Sequence, residues 1–156
     1  MYTDYLDSIE QDLRDKKDRT DELDELFQLS FLGDDITKQR VSWLVAKMAQ
    51  NKVQDLRIAE ILSSMADSDD PEVKENICWG IGELAGAGIG DDHMTDIVLR
   101  MMSDPNDSVR GMAVWAAGRL IKKLSVDNTR LHDRIQSLKD DNSEYVRKSV
   151  GYALDP

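Results

Sequence analysis

One interval constrains this chain more than any other feature: Trp43, Trp79 and Trp115 stand 36 residues apart, and Tyr152 follows after a further 37. The residues around each aromatic recur with it. Six positions earlier come Thr37, Val73, Val109 and Val146, two earlier come Val41, Ile77, Ala113 and Val150, and five later come Met48, Leu84 and Leu120. Such steps of three to four lay the apolar residues along one face of a helix. Nine positions before the aromatic stand Asp34, Asp70, Asn106 and Ser143, all residues whose side chains accept from the free amides of a helix start. The next position holds Asp35, Pro71, Asp107 or Glu144, which suit a first turn by charge or by fixed φ.

A second apolar series precedes each of these helices: Leu23, Leu26 and Leu29; Ile58, Ile61, Leu62 and Met65; Met94, Ile97, Val98 and Met101; Leu131, Ile135 and Leu138. Each unit is therefore a helix pair, too small to bury its apolar face alone, so the pairs must stack on one another. The expectation is an all-α solenoid of about four pairs, at about 20–51, 52–87, 88–124 and 125–156, forming one domain over 20–156. Residues 1–19, with Tyr5, Ile9 and Leu13 at helical spacing, read as an extra amphipathic helix that caps the N-terminal end.

The third copy, "DPNDSVRGMAVWAAGRL" from Asp104 to Leu120, resembles the HEAT-like repeat, in particular the short form named after phycobilisome lyases. The second and fourth copies share the pattern. The first departs from it, with Thr37-Lys38 in place of Val-Arg and Ala46 in place of the glycine. The resemblance implies a right-handed superhelix and a ladder of ion pairs between inter-helix turns, using Asp104 with Arg110 and Asp141 with Arg147. In the second copy Lys74 keeps the cation while Ser68 replaces the acid, which interrupts the ladder. Function does not follow from the family, whose members serve as scaffolds, adaptors, enzyme subunits and catalytic folds.

Charge and motifs narrow the function classes. A net charge of −11 and a pI near 4.6 disfavour a phosphate-tracking nucleic-acid binder and an anionic membrane surface. No apolar run has the length of a spanning helix, and the first residues lack a signal-peptide pattern, so a cytoplasmic protein is expected. The single cysteine, Cys78, reads as a small residue of a helix face. "GIGELAG" from Gly80 to Gly86 mimics a dinucleotide fingerprint but falls inside a helix, where close packing explains its glycines. "GAGIGDD" reads as an inter-repeat loop, and "DSDDPEVKE" lacks the ligand spacing of an EF-hand. His93 and His132 are not followed by Glu, so the iron ligands of HEAT-like deoxyhypusine hydroxylases are missing. No nucleophile, base and orienting group emerge from the spacing. The expectation is a non-enzyme without cofactor or metal.

The aromatics remain. At 100° per residue the core face of the third copy's second helix is set by Val109, Ala113, Ala116, Ala117 and Leu120, and Trp115 points roughly 120–130° from it. The equivalent stripes carry Arg40, Trp43 and Lys47, then Asn76, Trp79 and Glu83, then Met112, Trp115 and Arg119, then Tyr145 and Tyr152. Stacked helices lie about 8–10 Å apart, so the rings are expected to form a ladder along the concave surface, to pack sideways between neighbouring helices, or to do both, since a tryptophan can bury one face and offer the other. The leading reading is a scaffold or adaptor, one version being an inhibitor or immunity-type protein, that binds a basic or mixed-charge protein or peptide on these residues. The alternative, resting on the family resemblance, is an accessory subunit like those of bilin lyases that holds a flat chromophore. The last helix, ending in "VGYALDP", is expected to leave an uncovered end through which the chain forms a homodimer or docks a partner.

Overall fold

The chain's computed structural model describes residues 2–124 and 128–156. The boundary between the third and fourth units, placed at 124/125 from the sequence, borders residues outside those described. Among the described residues nine α-helices follow one another: α1 (Thr3–Arg14), α2 (Leu23–Leu32), α3 (Asp35–Gln50), α4 (Leu56–Ser64), α5 (Pro71–Gly86), α6 (Asp92–Met101), α7 (Asp107–Lys123), α8 (Thr129–Ser137) and α9 (Glu144–Leu154), with a short 3₁₀ turn at Thr20–Glu22. No strand occurs among the described residues. The protein is an all-α solenoid in which α2, α4, α6 and α8 form an outer row and α3, α5, α7 and α9 an inner row. Packing is densest along the inner row and thins along the outer one, so the stack curves toward the inner helices.

The inner helices start where side-chain capping demands. Asp34 accepts from Thr37 N, Asp70 from Glu72 N and Val73 N, Asn106 from Ser108 N and Val109 N, and Ser143 from Val146 N. Both apolar series are buried as their spacing requires, from Leu23, Leu26 and Leu29 through to Leu131, Ile135 and Leu138. Burial also extends beyond the one face that periodicity defines. Ser42, Cys78 and Val114, each next to a tryptophan, are buried as well, because an inner helix is flanked on both sides by its neighbours.

Helix α1 lies against α3 and buries Leu6, Ile9 and Leu13, with Tyr5 half buried. It ends as α3 and α5 end. Lys16, Lys52 and Gly88, 36 residues apart, all take positive φ, and Lys17, Val53 and Ile89 donate to Asp12 O, Met48 O and Leu84 O. These are Schellman closures. The register of the repeat therefore extends back through α1, which occupies an inner-row position. It is held by Tyr5, whose hydroxyl donates to Glu22, and by Asn51, whose amide donates to Leu13 O at 2.8 Å.

The turns between outer and inner helices are joined by a polar ladder whose rungs connect successive repeats. Lys74 Nζ meets Asp104 Oδ2 at 2.6 Å, and Arg110 grips Asp141 with Nε and Nη2 at 3.1 and 2.9 Å. Within its own turn Arg110 instead donates to the carbonyls of Asp104 and Pro105, and Arg147 to that of Asp141. Between the first two repeats the rung is uncharged on one side, as Gln39 donates to Asp70 Oδ2 at 2.8 Å. Ser68 keeps one duty of the missing acid: its Oγ accepts from Asp70 N, as Asp104 does from Asn106 N and Asp141 from Ser143 N.

Candidate functional site

All eleven residues singled out from the sequence lie on the inner row, on α3, α5, α7 and α9, and the structure divides them by what they touch. The three tryptophans are half buried. Trp43 and Trp79 face each other with ring centroids 6.0 Å apart at 58°. Trp115 is seated sideways on α5: a Cβ added to Gly82 would lie 2.2 Å from the Trp115 ring. The aromatics thus bind neighbouring repeats together and keep part of each ring open, so the two arrangements expected from the sequence coexist. Tyr145 packs in the same manner on Gly111, yet both it and Tyr152 stay more than a third exposed.

Three of the rings carry a cation against them. Arg14 of α1 stands 4.9 Å from the Trp43 centroid, Arg119 5.5 Å from that of Trp115, and Lys122 4.2 Å from that of Tyr152. Arg119 also donates to Gly82 O at 3.2 Å, and Lys122 to Tyr152 O at 2.7 Å. Arg14 and Lys122 were not among the expected site residues. Arg14 becomes legible once the 36-residue register is run back through α1.

Several expected contact residues are committed to the fold. Asn76 donates to Ser42 Oγ at 3.1 Å and to Gln39 O at 3.3 Å, which stitches α5 to α3. Arg40 pairs with Asp7 at 2.6 Å and Glu10 at 3.5 Å, fastening α1 to α3. Lys47, Glu83 and Met112 are half buried and make no ion pair among the described residues; Lys47 donates only to Gln50, within its own helix turn. They are the members of the set whose side chains are least occupied. Glu75, which the sequence did not single out, has its carboxyl raised above the ordinary value chiefly by burial, opposed by a hydrogen bond with Ser108 and reinforced to a lesser degree by the charges of Glu72 and Asp107. Cys78 is buried with its thiol pushed up by desolvation, 3.3 Å from Met101 Sδ.

The exposed residues of α9 are Glu144, Tyr145, Arg147, Lys148, Gly151 and Tyr152, a largely polar set in which Lys148 pairs with Glu144. The most exposed aliphatic side chains are Leu32 and Ile36, which stand together between α2 and α3, and Leu56, alone at the start of α4. Among the described residues no helix is long and apolar enough to cross a membrane, and no group of three or more His, Cys, Asp or Glu is placed to hold a metal.

A family model described as HEAT repeats matches residues 58–155, more than half of the chain. The match begins at Ile58, beyond the first repeat with its Thr37-Lys38 and Ala46. No curated protein matches the sequence.

Proposed function

The chain belongs to the HEAT-repeat family, and we propose that it is a non-catalytic scaffold or adaptor that binds a protein or peptide along its inner-row surface. One observation carries this reading: four successive inner helices each present a large aromatic ring that is only partly covered, on the side toward which the stack curves. Half-buried tryptophans held by packing are stiff anchors that lose little entropy on binding, and such anchors dominate interface energies. Met112, Lys47 and Glu83 border the rings with side chains free to meet a partner, whereas Asn76 and Arg40 support the surface from within.

The test is affinity capture from the native host, comparing wild type with Met112→Asp and Trp79→Ala at matched folded fraction. A protein retained by wild type and lost by both variants is the expected result. A partner held equally by all three proteins would remove the inner row from consideration.

A further inference from the structure

We infer that the N-terminal edge of the solenoid is a second docking surface, built for an apolar segment flanked by lysine or arginine on another protein. The inference starts from a comparison of equivalent positions. Leu32 occupies the place that Ser68, Asp104 and Asp141 fill in the later repeats. There each side chain accepts the backbone N–H two residues on, and Asp104 and Asp141 also receive the cation of the preceding repeat. Leucine can do neither. Ile36 likewise stands where Glu72, Ser108 and Tyr145 stand. Burial does not account for the exchange, since Leu32 is 79% and Ile36 68% exposed. Two aliphatic side chains thus replace mostly polar ones in one repeat only, at positions where they add nothing to the core and give up a turn hydrogen bond.

The two residues border a groove of about 560 Å³ that Tyr2, Leu6 and Gly33 help to line. Its surroundings are acidic. Asp34 lines it, and Asp35, Asp4 and Asp7 adjoin its lining residues in the chain. The one cation in the lining, Arg40, is already held by Asp7 and Glu10. Asp4 and Asp35 make no ion pair among the described residues, and an apolar floor with such carboxylates at its rim selects an apolar side chain with a cation beside it. A second copy of this chain is a poor occupant, because it would bring an identical acidic rim and a net charge of −11. The surface adjoins the aromatic row but does not depend on it.

Titration of isotope-labelled protein with two synthetic amphipathic helices tests the inference. The helices share one leucine face; one carries lysine on its polar face and the other glutamate. The lysine helix is expected to shift the amide resonances of Leu32, Gly33 and Ile36, with affinity about tenfold or more above that of the glutamate helix. Leu32→Ser with Ile36→Ser should abolish that binding without altering the melt, because both side chains are exposed, and Trp79→Ala should leave it intact. The inference is overturned if the lysine helix produces no shifts at this edge, or if the two helices bind equally. It is also overturned if binding maps to the inner row and falls with Trp79→Ala, a result that would favour the aromatic row as the only docking surface. A concentration-dependent dimer dissolved by the double serine variant would instead assign the surface to a second copy.

Discussion

If Trp115 is seated on Gly82, a single methyl group should reveal it. An ideal Cβ at position 82 would lie 2.2, 2.7 and 2.8 Å from Cζ3, Cη2 and Cε3 of the Trp115 ring. Three atoms of a rigid ring cannot yield as the tip of a lysine can, so Gly82→Ala forces the ring or the helix spacing to shift, an overpacking cost of about 1–3 kcal/mol. Alanine is the better helix former by about 0.8–1 kcal/mol, which offsets part of that. The net expectation is a loss of about 0–2 kcal/mol with Trp115 present. Trp115→Ala alone should cost about 2–3 kcal/mol, below the range for a fully buried tryptophan because the ring is half covered. In the Trp115→Ala background the clash is gone, and Gly82→Ala should stabilise by up to about 1 kcal/mol. The helix-propensity gain is common to both backgrounds and cancels, so the two changes are coupled by the overpacking cost itself, about 1–3 kcal/mol. Urea unfolding followed by far-ultraviolet circular dichroism measures all four corners of the cycle without relying on tryptophan emission. Equal stabilisation by Gly82→Ala in both backgrounds would refute the seating of the ring.

Other expectations follow from the same contacts. Lys52→Gly should raise stability by about 0.5–1 kcal/mol, because it removes an αL penalty of about 1–2 kcal/mol while adding freedom to the unfolded chain; a melting temperature higher by about 2–4 °C per kcal/mol checks it. Arg110→Ala should cost about 1–3 kcal/mol in urea unfolding, since Asp141 loses a two-point partner while both side chains are mostly covered, and it should leave partner affinity unchanged once corrected for folded fraction. Stability should decline as pH falls below about 4: Arg110 holds the Asp141 carboxyl down, Arg57 that of Asp55 and the Tyr5 hydroxyl that of Glu22, so their contribution is present above the unfolded pKa and lost through the folded one. Glu75, raised by burial, acts in the opposite sense, its contribution being lost as pH rises through its folded pKa. Asp141→Asn should flatten the acid limb, and an unchanged limb would exclude Asp141 as a contributor.

The sequence by itself determined everything in this protein that depends on neighbours within a few residues. Asp34, Asp70, Asn106 and Ser143 cap their helices because a cap needs only an acceptor two or three residues before a free amide. The 36-residue period placed the helix pairs and both buried faces, and it set all four aromatics on the inner row. Only the tertiary structure decided what happens between repeats. The side of a helix that meets the next unit depends on how each pair rotates against its neighbour, and that rotation is the outcome of many small packing terms that no local pattern encodes. For that reason Trp115 came to rest on Gly82, Asn76 and Arg40 became stitches between helices, and Arg110 reached Asp141 of the following repeat while binding only backbone carbonyls in its own turn. The apolar edge at Leu32 was written in the alignment of the copies. Its exposure emerged only once the fold left that side of the first turn without a neighbour.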